Sequence, residues 1–304
     1  MILCCGEALI DFMPVETVDG APAFQPFNGG SIYNVAIALG RLGINVGFFG
    51  GLSKDLFGDM LASELAKSRV DASLAILGNK STTLAFVEFS DGQPTYAFVD
   101  EGSAGRMINA SPQLTDDINL LHFGSISLIS DPAASVFENL AARENGHRLI
   151  SIDPNIRPSL IDDVDTYRAR LQRMFSFADI IKISDEDLEW LNSTQKPEDF
   201  AHAQLKSGAS LVVVTRGKEG ATAYTKAHKF EQAIEKIDIA DTVGAGDAFM
   251  AGLLASLNEH KLLTREKLTN VEPTFLKIAL EKASHVAAIT VSRKGANPPW
   301  KSEL

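Results

Sequence analysis

The chain alternates short apolar runs with longer stretches whose apolar residues recur at helical spacing, the pattern of repeated βα units around a parallel sheet. Ile2 to Ile10 predicts a buried parallel strand that ends beside Asp11. Behind Gly29 and Gly30, residues Ile32, Val35, Ala36 and Leu39 fall at helical spacing, and Gly43 predicts the stop. A strand at Asn45 to Gly51, a helix at Leu56 to Ser68 and a short strand at Leu74 to Leu77 follow. The rhythm then breaks. Thr82 to Ser90 and Thr95 to Val99 read as strands around Asp91-Gly92-Gln93-Pro94, a hairpin turn by composition. A hairpin inserted between α/β units is expected to cover a site rather than widen the main sheet. Alternation resumes with strands at Leu120 to Ile126, Arg148 to Asp153, Asp179 to Ile183, Ser210 to Thr215 and Ala221 to Thr225. Helices are expected at Pro132 to Glu144, at Tyr167 to Phe177, after Ser184, after Gly246 and at Thr274 to Val291. With no repeat, low-complexity tract or linker, residues 1–304 read as a single α/β domain with lid segments at about 12–28 and 82–104.

Composition narrows the function classes. A net charge of −11 argues against nucleic acid or an anionic membrane as partner, and an anionic ligand would need local positive help. Cys4 and Cys5 are adjacent, so on a strand they point to opposite faces and form no metal or disulfide framework, which fits a reducing, cytoplasmic setting. Neither a signal peptide nor a membrane span is expected from the first residues.

The candidate chemistry centres on Asp241-Thr242-Val243-Gly244-Ala245-Gly246-Asp247. Two glycines just before an apolar helix free its first amides to meet an anion such as phosphate, and Asp247 is then placed to take a proton from an attacking hydroxyl. Capping of a glycine-rich helix entry explains the same seven residues equally well. Gly29 and Gly30 open another helix in which Asn34 is a polar residue on an apolar face, suited to a ligand hydroxyl or to an internal hydrogen bond. Arg157 lies in a loop fixed by Pro154 and Pro158, where it fits either a substrate contact or a surface ion pair. Asp185, Glu186 and Asp187 suit both a first helical turn and a hydrated magnesium ion. The Arg216-Gly217-Lys218-Glu219-Gly220 turn matches neither the P-loop nor the dinucleotide fingerprint.

With Gly29, Gly30, Asn34, Ala36, Leu39, Arg41, Leu42 and Gly43 forming one signature and Asp241 to Asp247 a second, the chain resembles the ribokinase-like, or PfkB-type, carbohydrate kinases. The resemblance runs from Gly6-Glu7 to Gly295-Ala296. It implies a three-layer α/β/α domain with a mainly parallel central sheet and a small β-sheet lid, transferring the ATP γ-phosphoryl to a sugar hydroxyl. It also implies Asp247 as the base, with the amides of Gly244, Ala245, Gly246 and Asp247 as an anion hole. Asp11, Gly29, Gly30, Asn34, Arg106 and Arg157 become sugar contacts. Lys182, Ser184, Thr215, Gly217 and Gly220 become nucleotide contacts, together with Gly244 and Gly246. Magnesium is expected near Asp187 through water, although Ser184-x-x-Asp187 stands where the family often has Asn-x-x-Glu. The resemblance also allows a potassium ion near Asp241 and Val243.

Loops such as Gly6 to Phe12, Ala104 to Met107, Asp153 to Pro158 and Lys182 to Glu186 are similar to those of bacterial fructokinases, which implies D-fructose converted to fructose 6-phosphate. The rival readings are 2-keto-3-deoxygluconate kinase or another PfkB sugar kinase and, from a different class, a sugar-binding regulator without turnover. Phe86, Phe89 and Phe98 on an open β surface further predict a homodimer through the lid.

Overall fold

The computed structural model describes residues 1–90, 93–235 and 237–304, and in it the first strand is shorter than its apolar run. Strand β1 (Ile2–Cys5) ends at Gly6, and β2 (Leu9–Glu16) then pairs with β3 (Pro22–Gly29) in a different sheet. A Cβ at Gly6 would sit 2.5 Å from the Ile32 side chain, so only glycine lets the chain turn away there without displacing it. The single strand expected over Ile2 to Ile10 is therefore two, and Asp11 belongs to the second sheet rather than to the end of β1.

The elements that follow are α1 (Ser31–Arg41), β4 (Val46–Phe49), β5 (Gly51–Ser53), α2 (Leu56–Lys67), β6 (Ile76–Gly78), β7 (Thr83–Ser90) and β8 (Gln93–Val99). The strand expected from Asn45 to Gly51 also divides, with β5 pairing β6 in a two-stranded ribbon. Next come β9 (Leu120–Gly124), α3 (Ala133–Glu144), β10 (Leu149–Asp153), α4 (Val164–Phe177), β11 (Ile180–Ser184), α5 (Asp185–Asn192), α6 (Pro197–Ser207) and β12 (Leu211–Thr215). The chain closes through β13 (Ala221–Tyr224), β14 (Lys229–Gln232), α7 (Ala245–Glu259), α8 (Arg265–Thr269) and α9 (Pro273–Val291).

The main sheet runs β14-β13-β12-β11-β10-β9-β1-β4, parallel from β12 to β4, with β13 and β14 antiparallel at one edge. Parallel strands buried on both faces need helices on both, and two apolar cores supply them. Ile2 and Cys4 pack with α1, α2, α7 and α9; Leu3 and Cys5 pack with α3, α4, α5 and α6. The three expected layers are thus present, and the adjacent cysteines face opposite layers. At the crossing of α7 and α9, a Cβ on Gly252 would lie 2.8 Å from the Ala283 Cα, so the missing side chain sets how closely these helices approach. Their packing holds the amino end of α7 against the carboxyl edge of the sheet. Strand register lines up Gly124 with Asp153 and Ser184 with Thr215 along that edge.

The second sheet has the order β3-β2-β7-β8. Phe12 stacks on Phe86 at 4.8 Å and meets Phe57 of α2 edge-on at 5.5 Å, which pins the sheet to the main body. At its base, Thr83 and Ser103 both donate to Asp100, at 2.7 and 2.8 Å. Phe24 is 49% exposed although it contacts Phe86. Part of the expected turn, Asp91-Gly92, and the side chain of Phe89 lie outside the described residues. Among the described residues no helix is long and apolar enough to cross a membrane.

Candidate active site

Gly244 precedes α7 in the left-handed conformation, at φ +75°, and a Cβ there would strike the Ala296 side chain at 2.7 Å. The loop before the helix is tied down by Asp241, whose carboxylate accepts from the Val243 amide at 3.0 Å and from the Gly295 amide at 2.9 Å. The first amides of α7 are thereby held open to an anion, with no side chain capping them. Positive charge stands beside them. A Cβ on Gly246 would lie 3.0 Å from Lys182 Nζ, so the missing side chain leaves the ammonium facing the first turn.

Lys182, buried in the middle of β11, donates to Asp153 at the end of the adjacent strand β10, at 2.8 Å. Burial pushes the Asp153 carboxyl up to about 6 against the pull of Lys182. Burial alone would lower Lys182, but the charge of Asp153 reverses this and holds the amine above its ordinary value. The second oxygen of Asp153 is buried without a partner.

Asp247 lies between two helix beginnings. It sits in the first turn of α7, and both its oxygens accept from α1: Oδ1 from Ser31 Oγ at 2.6 Å and Oδ2 from Asn34 Nδ2 at 2.9 Å. Beneath α1, Glu7 accepts from the Ile32 amide at 3.3 Å, and its carboxyl is pushed up to about 7, mainly by burial. Gly30 takes φ +101° to start α1 directly above the Glu7 carbonyl, which a Cβ would meet at 3.0 Å.

Asp11 reaches this group from the second sheet, close enough to Gly29 that a Cβ there would lie 2.1 Å from its oxygen. Burial raises the Asp11 carboxyl to about 6, the Arg157 guanidinium opposes that rise, and Asp247 adds to it. Arg157 is oriented by the carbonyl oxygen of the Asn155 side chain at 2.7 Å. The Tyr96 hydroxyl on β8 is raised by burial and feels the charges of Arg157, Asp11 and Asp241, so it lies within electrostatic reach of the site.

Asp11, Gly29, Gly30, Asn34, Arg157 and the Gly244 to Asp247 turn therefore converge. Arg106 stands apart from them in its contacts: its Nε approaches the Asp131 carbonyl at 3.5 Å, and it lines a cavity of about 220 Å³ with Phe98, Asp100 and Asp162. On the nucleotide-candidate side, Ser184 and Asp187 form a capping box for α5, and Asp187 also accepts from the Ile156 amide at 2.7 Å. Thr215 ends β12, and the turn returns through Gly217 at φ +45° and Gly220 at φ +91°, where a Cβ would strike the Gln232 carbonyl. Among the described residues no group of three or more His, Cys, Asp or Glu side chains is arranged to hold a metal ion.

The pattern of pfkB family carbohydrate kinases matches residues 1–303. The chain belongs to this family. A fructokinase of Rhizobium leguminosarum bv. trifolii is 48% identical over 279 residues, spanning 91% of this chain and 86% of the relative. The structure of a fructokinase from Xylella fastidiosa with bound ATP superposes with a TM-score of 0.88 at 29% identity, covering 97% of this chain and 93% of that one. A fructokinase from Vibrio cholerae bound to fructose, ADP and calcium gives 0.82 at 27% identity, covering 97% and 94%; a double mutant of it carries fructose, ADP and potassium.

Four residues of this candidate site escaped the sequence reading: Glu7, Ser31, Tyr96 and Asp153. Two left a trace. Asp153 ends one apolar run and Lys182 interrupts the next, and consecutive parallel strands lie side by side; Ser31 sits one turn before Asn34. Nothing local distinguishes Glu7 or Tyr96.

Proposed function

We propose that this pfkB carbohydrate kinase is an ATP-dependent fructokinase, converting D-fructose to fructose 6-phosphate with Asp247 as the general base. The observation that carries the reading is the Asp247 carboxylate, held by Ser31 and Asn34 at the first turn of α7 and within electrostatic reach of Asp11. In this reading Asp11, Asn34 and the Gly29 and Gly30 backbone hold the sugar, and its hydroxyl gives its proton to Asp247 as it attacks phosphorus. The Gly244 to Asp247 amides and Lys182 take up the charge of the transferred group. Ser184, Thr215, Gly217 and Gly220 flank the remaining nucleotide. The open amides and the ammonium beside Gly246 suit a triphosphate. Magnesium bound with the nucleotide neutralises phosphate oxygens, and this chain would hold it mainly through phosphate and water, with Asp187 as the assigned outer contact. The tied loop at Asp241 and Val243 is the assigned seat of a potassium ion, a cation that the Vibrio double mutant also carries.

Fructose is preferred to a keto-deoxy sugar acid because the Asp11 carboxylate, within electrostatic reach of Arg157, would repel a second one. Arg106 is retained as an outer sugar contact that joins when the second sheet closes as a lid. The whole chain acts in this reading as a single domain, in the cytoplasm, and as a homodimer through the lid. A coupled ADP-release assay over a panel of sugars tests the assignment: fructose should be the preferred acceptor, and Asp247→Ala should abolish most turnover while the fold survives. Turnover of a keto-deoxy acid with none on fructose would refute it.

A further inference from the structure

Ser31 is the first residue of α1, one place past the cap position from which a serine bonds its own helix's amides, so its hydroxyl is free for another partner. The cap position is Gly30 and makes no side-chain cap hydrogen bond, while the Ser31 hydroxyl, buried with its residue only 7% exposed, donates to Asp247 at 2.6 Å. Asn34, one turn later, donates to the other oxygen of the same carboxylate. The terminal torsion of an aspartate is broad, so the backbone of α7 alone leaves the plane of this carboxylate loosely defined. Two donors on one rigid helix remove that freedom.

Building on the assignment of Asp247 as base, we infer that Ser31 is a positioning residue that aims this carboxylate at the acceptor hydroxyl. Asn34 has a second duty, because the family resemblance makes it a sugar contact; Ser31 is bonded to the base. The inference also links recognition to the lid, since strand β3 ends at Gly29 and α1 begins at Ser31 with only Gly30 between them. Whatever shifts β3 is passed within two residues to the donor that orients the base.

The test is Ser31→Ala in two backgrounds. In the otherwise unaltered enzyme, loss of a hydrogen bond to a charged group should lower kcat by roughly 10- to 100-fold. KM for fructose and for ATP should stay within about twofold, because the lost contact aims the base rather than holding either substrate. In an Asp247→Ala background, where no carboxylate remains to be aimed, the same substitution should leave the residual turnover unchanged. An unaltered kcat for Ser31→Ala would overturn the inference, as would an equal fractional loss in both backgrounds, which is what a purely structural serine gives. Full turnover by Asp247→Ala would instead remove the base assignment itself, so the two failures are distinguishable.

Discussion

Replacing Asp11 by asparagine should separate sugar recognition from fold stability. The Asp11 carboxyl is raised from the ordinary 3.8 to about 6, chiefly by burial, with Arg157 pulling it down and Asp247 pushing it up. The folded protein therefore holds this proton more tightly than the unfolded chain does. Stability from this group is fully present below 3.8, is lost as pH rises towards about 6, and stays lost above that. A rise of that size corresponds to about 3 kcal/mol, and solvent reaching the partly open side chain lowers the realised penalty to about 1–3 kcal/mol.

Asp11→Asn should regain that amount in urea unfolding near pH 8 and almost none near pH 4, while kcat/KM for fructose falls because a charged hydrogen-bond acceptor is gone. In the parent enzyme, kcat/KM for fructose should drop about tenfold per unit below about pH 6. Glu7 and Asp153 have carboxyls in the same range, so the assignment needs a second handle. Arg157 supplies it. Its charge is a leading influence on Asp11 and not on those two, so Arg157→Met should move the acid limb to higher pH only if Asp11 is responsible. An Asp11→Asn protein less stable than the parent near pH 8, or a limb indifferent to Arg157→Met, would show the reasoning to be mistaken.

Two further outcomes are expected. Lys182→Met strands the buried Asp153 charge and should destabilise the fold by about 3–5 kcal/mol in urea unfolding; adding Asp153→Leu should recover most of the stability but not turnover, since the ammonium beside Gly246 is still missing. A Lys182→Met protein as stable as the parent would contradict this. Light scattering should give twice the chain mass if the exposed face around Phe24 packs on a second copy, and a monomer at all working concentrations would remove the dimer while leaving the kinase assignment intact.

The α/β alternation was readable because buried strands and amphipathic helices impose their period on the residues, as in α1, where Ile32, Val35, Ala36 and Leu39 are all buried. The break at Gly6 was not, because the contact that requires glycine there is with Ile32, distant in sequence and adjacent only in space. Helix α6 and strand β14 are largely polar surface elements: α6 buries Phe200, Ala201 and Leu205, and β14 leaves its lysine and glutamate exposed, so their periods are faint. In the site, glycine announced itself wherever backbone had to come close, at Gly29, Gly30, Gly244 and Gly246. Side-chain pairings across the sheet edge did not. Ser31 and Asp247 are 216 positions apart, and nothing in either neighbourhood names the other. Arg106 stood out in the sequence as a charge, and its contacts lie beside the converging group rather than within it, so only closure of the second sheet would bring it in.

The two cysteines of β1 take no part in this chemistry, yet their placement makes them chemical reporters. Each thiol is buried and pushed far above the range in which it reacts, Cys4 under one helical layer and Cys5 under the other. An alkylating reagent can reach Cys4 only when the layer of α1, α2, α7 and α9 lifts, and Cys5 only when the layer of α3, α4, α5 and α6 does. Labelling of one thiol ahead of the other would measure which half of the molecule opens first, and simultaneous labelling would mean that both layers come away as one cooperative unit. The chain carries, on neighbouring residues of β1, a separate gauge for each of its two cores.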